Sequence, residues 1–199
     1  MESNDGPSSG QCSPEPNPHA ERPYGAVAYI NGQLGDFLLQ LRGEAVTGCQ
    51  LRSHVSVLPP RPITGAETAA LRWLDEHAAR LNAFEVRLGE VTHFPNSTVI
   101  FVSVTIGASE LIDAHAALDQ GPFRFDEKFA YSPHITLAQG FPESELPAKL
   151  ALCRERWAAY TGPRAFGVEE IFFVKSIAKE CWINLNSTHL EMASTHERR

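Results

Sequence analysis

The sequence predicts an α+β protein built as two similar halves, and three observations carry that reading. Between residues 24 and 192, β-branched apolar runs alternate with segments of helical periodicity. The order strand, helix, strand, helix, strand occurs twice, as expected of a duplicated, pseudo-symmetric domain. At equivalent places in the two repeats stand His54-Val55-Ser56 and His134-Ile135-Thr136. At 199 residues and 43% hydrophobic content the chain is long enough to bury a core and short enough for one soluble domain, expected to be a monomer.

Residues 1–23 are rich in Ser, Pro, Gly and Asn with hardly an aliphatic side chain. They cannot bury enough surface to offset their ordering entropy, so a disordered tail is expected, His19 included. A shorter tail is expected over 193–199. Residues 25–30 read as the first strand. Asn31 then stands as a possible N-cap before the helical spacing Leu34, Phe37, Leu38, Leu41 and Ala45. The first histidine strand, 53–58, is expected to end at Pro59-Pro60. Thr64 and Glu67 form a capping-box pattern opening a helix with Leu71, Leu74, Ala78 and Leu81 inward. Residues 84–91 close the first half as a strand.

The second half begins with a β-branched strand over 98–106, followed by a helix over 109–120 with Leu111, Ile112, His115 and Leu118 inward. The second histidine strand is 134–138. A helix near 144–160 places Leu146, Leu150, Cys153 and Trp157 on one face, and residues 166–174 and 181–185 read as closing strands.

Seventeen basic against 24 acidic residues leave a net charge of −7, which excludes a broad basic face for long duplex nucleic acid. A single phosphate stays compatible, because a local cluster of donors can hold it. The four cysteines, Cys12, Cys49, Cys153 and Cys181, are irregularly spaced with no C-x-x-C pair, and are expected to be reduced thiols. No basic stretch leads into an apolar run at the N-terminus, and no run reaches the length of a membrane span. A cytoplasmic protein without membrane contact is expected. There is no G-x-x-x-x-G-K-[ST] loop for ATP and no H-E-x-x-H or Cys/His cluster; His77, His93, His115 and His189 share no ligand spacing. Neither a metal nor a cofactor is expected, and His115 reads as a satisfied core residue.

Side chains alternate along a strand, so His54 and Ser56 share one face while Val55 and Val57 pack behind; His134 and Thr136 do the same over Ile135 and Leu137. With apolar residues required at the second and fourth positions, this composition predicts roughly 0.2 chance matches, and two are present. The chemistry suits such a pair. Opening a cyclic phosphodiester needs a base on one side of phosphorus and an acid at the departing oxygen, and imidazole titrates near neutrality. Ser56 and Thr136 can donate hydrogen bonds to the non-bridging oxygens. No metal is required.

At Ser53 through Val57 and Ser132 through Leu137 the chain resembles the two-histidine (2H) phosphoesterase superfamily, in particular its 2′-5′ RNA ligase-like branch. The signature of that branch is two H-x-[ST]-x motifs with apolar x positions; here they stand 80 residues apart. The resemblance covers about residues 24–190, including the Trp182 strand. It implies a bilobal fold with antiparallel sheets lining a central cleft, helices outside and one motif per lobe. It also implies action on 2′,3′-cyclic or 2′-5′ phosphodiesters of RNA ends or small nucleotides, with His54 and His134 as the acid/base pair. Gln139 stands where many members carry arginine, which argues against assignment to the bacterial RNA cyclic phosphodiesterase subgroup.

Around the motifs, Arg52, Arg61 and Lys175 are candidates for holding phosphate. Tyr24, Tyr131 and Phe141 are candidates for stacking on a base. The competing reading is a binding module that uses the same cleft for a nucleotide or RNA end without turnover.

Overall fold

Two four-stranded antiparallel sheets, ordered β2-β1-β7-β8 and β5-β4-β3-β6, face each other in the computed structural model, which describes residues 23–49, 51–178 and 181–192. The elements are β1 (Tyr24–Tyr29), α1 (Gly32–Ala45), β2 (His54–Arg61), α2 (Glu67–Ala78), β3 (Phe84–His93) and β4 (Ile100–Ile106). They continue with α3 (Ala108–Leu118), β5 (His134–Ala138), α4 (Leu146–Ala159), β6 (Ala165–Val168), β7 (Glu170–Ala178) and β8 (Cys181–His189). Short 3₁₀ turns occupy Gly121–Phe123 and Glu143–Glu145. The two expected tails lie outside the described residues, except Pro23, whose carbonyl accepts the Ser176 N–H at 2.9 Å.

The repeat is present, but its halves exchange strands. β3, which closes the first half in sequence, pairs with β4 and β6 in the second sheet, while β7 pairs with β1 in the first. The single strand expected over 166–174 is therefore two strands, β6 and β7, which belong to different sheets. Helices are shared in the same way: α1 reaches β5 and α4, and α3 reaches β2 and α2. One continuous apolar core results, running from Leu34, Leu38 and Leu41 through Val55 and Val57 to Ile135, Leu137 and Trp157. Each large aliphatic buried there contributes about 1.5–3 kcal/mol relative to exposure.

Several local expectations are corrected. β2 does not stop at Pro59-Pro60; it continues to Arg61, with a register shift opposite Tyr24 and Ala26. β2 lies at a sheet edge, where missing N–H donors are tolerated. Thr64 does not cap α2: the helix begins at Glu67 after Ala66, and the Glu67 carboxylate instead accepts from Tyr24 Oη at 2.8 Å and from Lys175 Nζ. Asn31 holds the N-cap position of α1, but its side chain accepts a 2.6 Å hydrogen bond from Arg52 rather than from the helix. Ile112 points to solvent at 46% exposure, and Ala114 takes its place inward beside Leu111 and Leu118. Cys49 and Cys153 are free thiols, whereas Cys181 is disulfide-bonded, so the expectation of uniformly reduced cysteines does not hold.

The entry to β2 is pinned by a close backbone approach. Ile30 N–H donates to Ser53 O at 2.9 Å, and buried Ser53 donates its hydroxyl to Gly35 O at 3.0 Å. A Cβ on Gly35 would lie 2.0 Å from Ile30 O, so only glycine lets α1 fold back this tightly. This clamp fixes the residue immediately before His54.

Candidate active site

β2 and β5, edge strands of different sheets, lie side by side at the base of a cleft of about 1950 Å³. His54, Ser56, His134 and Thr136 all line it, while Val55, Val57, Ile135 and Leu137 are buried behind them. The alternation predicted for both motifs holds, and the fold brings the two strands together from opposite sheets.

The imidazoles are held alike. His54 Nδ1 lies 2.7 Å from Arg52 O, and His134 Nδ1 lies 2.7 Å from Ser132 O. A carbonyl only accepts, so Nδ1 carries the proton in both rings and Nε2 of the neutral form keeps its lone pair for a substrate. Burial pushes the His54 pKa down to about 4; the bond to Arg52 O opposes this, and the positive Arg42 and nearby His134 add to it. Burial also lowers His134, against the opposing bond to Ser132 O. Phe94 and Phe101 meet the His134 ring edge-on, with centroids 4.9 and 5.2 Å away. Tyr29, paired across the ladder with His54, makes a looser edge contact at 6.4 Å.

Side chains from the opposite half hold the motif backbones. Arg42 of α1 donates Nη1–H to Thr136 O at 2.7 Å. Tyr131, from the loop before β5, donates its hydroxyl to Ser56 O at 2.7 Å. His115 of α3 donates Nδ1–H to Val57 O at 2.8 Å and stacks on Tyr131 with ring centroids 4.0 Å apart. His115 is thus a satisfied, half-buried residue, as its sequence position suggests. Each of these bonds satisfies a carbonyl of a histidine strand, worth about 1 kcal/mol net and more if the acceptor were stranded.

Of the six further candidates, the structure places Arg52 and Tyr131 on the cleft. Arg52 lies over the Tyr29 ring with its guanidinium carbon 3.9 Å from the centroid. Arg61 does not reach the cleft. It is 1% exposed and bound to Asp119 at 2.7 Å, to Glu127, and to the carbonyls of Pro59 and Phe123. Continuation of β2 through the prolines puts Arg61 on the Val55 and Val57 face, where it anchors the loop that carries Tyr131. Tyr24 and Lys175 lie opposite each other in the β1–β7 ladder on the face away from the cleft: Tyr24 stacks on Phe173 at 5.5 Å, and Lys175 sits 5.1 Å above the Tyr24 ring and pairs with Glu67. Phe141 packs against the core beneath Lys149.

Sequence reasoning missed Tyr29, Arg42, Phe94 and Phe101. Tyr29 is accessible by alternation, since Gly25, Val27 and Tyr29 share the cleft face of β1. Arg42 carries a signal too, an arginine on the Leu34, Leu38 and Leu41 face of an amphipathic helix. Among the described residues no group of three or more His, Cys, Asp or Glu side chains is arranged to hold a metal ion, and no helix is long and apolar enough to cross a membrane.

Two exchanged lobes with paired histidine strands at one cleft define the class as a two-histidine phosphoesterase. More particularly, the chain belongs to the 2′-5′ RNA ligase superfamily, whose family model matches residues 48–180, a span containing both motifs. Its fold is similar to that of E. coli LigT complexed with 3′-AMP, at 15% identity and a TM-score of 0.59 over 86% of this chain and 99% of that one. Likeness to E. coli LigT complexed with NADP+ is comparable, at 15% identity and a TM-score of 0.56 over 86% and 98% of the two chains. It is also similar to the TT0787 protein of Thermus thermophilus, at 18% identity and a TM-score of 0.51 over 86% and 99%. No curated protein matches the chain by sequence.

Proposed function

We propose that the protein opens 2′,3′-cyclic or 2′-5′ phosphodiester bonds at RNA ends or in small nucleotides by metal-independent acid/base catalysis between His54 and His134. The observation that carries this reading is the matched presentation of two Nδ1-anchored imidazoles, each beside a hydroxyl, on one cleft. His54 Nε2, kept neutral by burial and by the Arg42 charge, removes a proton from the attacking water. His134, protonated once the anionic phosphodiester is bound beside it, gives its Nε2 proton to the departing ribose oxygen. Ser56 and Thr136 hydroxyls donate to the non-bridging oxygens as charge shifts onto them. The cleft's aromatic walls, Tyr29 and Phe94, suit a nucleoside, and a nucleotide ligand accords with the 3′-AMP bound by LigT of similar fold.

The test is hydrolysis of 2′,3′-cyclic nucleotides, cyclic-phosphate RNA ends and 2′-5′ dinucleotides in the presence of EDTA. Turnover that survives EDTA and is lost in both His54→Ala and His134→Ala is the expected result. Folded protein that binds these ligands without releasing product would replace this reading with a binding module, and activity unchanged in both variants would overturn it.

A further inference from the structure

Among the described residues two arginines are almost fully buried, and they are treated in opposite ways. Arg61 is 1% exposed and is neutralised by Asp119 and Glu127. Arg42 is 3% exposed and among the described residues forms no ion pair. Its Nη1 donates to the carbonyl of Thr136, its Nη2 lies 3.9 Å from the Cys49 thiol, and its buried Nε has no hydrogen-bond partner. The acidic residues near it are committed elsewhere or stand apart. Glu44 on the same helix is paired with Arg156 at 2.8 Å, Glu145 is paired with Lys149, and Glu143 lies exposed on the cleft wall. Arg42 itself lines the cleft, directly behind the second motif and within electrostatic reach of His54.

A guanidinium taken out of water without a counter-ion costs several kcal/mol, a cost that an anion bound beside it would offset. Among the described residues the cleft has no other buried fixed cation: Arg52 and Lys128 are exposed, Arg52 is bound to Asn31, Gln139 is uncharged, and both histidines are held toward neutrality. We infer that Arg42 is the fixed counter-charge of the cleft, completing its charge balance only when a phosphate group of the substrate is bound between the two motifs. Its bond to Thr136 O makes it a positioning residue for the Thr136 hydroxyl as well, so one side chain sets both the charge and the geometry of the phosphate site.

This inference rests on the phosphodiesterase reading for its ligand, but phosphate binding and the His54 titration read it out without turnover. Inorganic phosphate is titrated into the full chain and into Arg42→Met and Arg42→Gln, followed by calorimetry and by the imidazole resonances of His54 and His134. Both variants are expected to weaken phosphate binding by about tenfold or more, as loss of the site's fixed counter-charge implies, and to raise KM for a cyclic nucleotide more than they lower kcat. In unliganded protein His54 is expected to titrate at higher pH in both variants, because a neighbouring cation has been removed. Arg42→Gln keeps an amide donor for Thr136 O, so it separates loss of charge from loss of the clamp should Arg42→Met fail to fold. Phosphate affinity and His54 titration unchanged in Arg42→Gln, with only a lowered melting temperature, would overturn the inference and leave Arg42 a backbone clamp. Arg42-dependent phosphate binding without any cyclic-nucleotide turnover would sustain it while removing the proposed reaction.

Discussion

His54 and His134 each donate Nδ1–H to the carbonyl two residues back at 2.7 Å, yet the walls around them differ. The His54 side is polar and cationic, with Arg42 nearby and Arg52 stacked on Tyr29. The His134 side is aromatic, with Phe94 and Phe101 edge-on to the ring. Duplication thus fixes what the two rings share, strand geometry and tautomer, and the side chains packed around each strand decide how readily each ring takes a proton. In the proposed reaction, this difference in surroundings is what would give a symmetric pair of residues two different jobs.

The comparison is tested most severely by removing one ring at a time. His54→Ala and His134→Ala are each expected to lower kcat/KM for a cyclic nucleotide by about 10²–10⁴-fold, the range for a positioned general acid or base. The double variant should lose little more than the worse single one, since the two rings act as a unit. Additive losses measured by steady-state kinetics would argue that the rings work independently.

A second step sharpens the role of the hydroxyls. Ser56→Ala and Thr136→Val are each expected to cost about 10–10³-fold in kcat with a smaller change in KM, as for a donor that tightens in the transition state. A much larger loss for one than the other would show which side of the phosphate carries the developing charge.

The titration difference predicts a bell-shaped profile of kcat/KM that lies on the acid side of neutrality. The base must be deprotonated, so activity rises through the His54 pKa at about 4; the acid must be protonated, so activity falls through that of His134, which lies below 6.5. Stability follows the same groups. Both folded-state values are depressed, so the unfolded chain binds protons more readily. The stabilisation is complete above pH 6.5 and declines as pH falls toward 4, and the urea midpoint of His54→Gln should decline less steeply over that window.

The smallest effects are expected where candidates fall away from the cleft. Lys175→Met and Phe141→Ala should leave KM within about twofold, because neither side chain lines the site, whereas Tyr131→Phe strands the Ser56 carbonyl at about 1–3 kcal/mol. Parallel melting curves and Michaelis constants for the three variants check this ordering.

The histidine motifs are legible because they combine a local pattern with strand alternation, and both are properties of consecutive residues. The failures share a cause. Arg61 reads as a phosphate ligand only if Pro59-Pro60 end the strand; once β2 is known to be an edge strand, the same alternation puts Arg61 in the core. Tyr24 and Lys175 look like site residues until the ladder places them on the rear face with Glu67.

By itself, then, the sequence determined the α+β class, the two-fold repeat and which residues of each motif share a face, since these depend on periodicity over a few residues. Only the tertiary structure decided that β3 and β7 exchange sheets, that β2 and β5 meet as neighbouring edges, and that α1 and α3 each reach across to the other half's histidine strand. Those outcomes depend on contacts between residues far apart in the chain, such as Arg42 with Thr136 and Tyr131 with Ser56, whose partners are chosen by packing of the shared core.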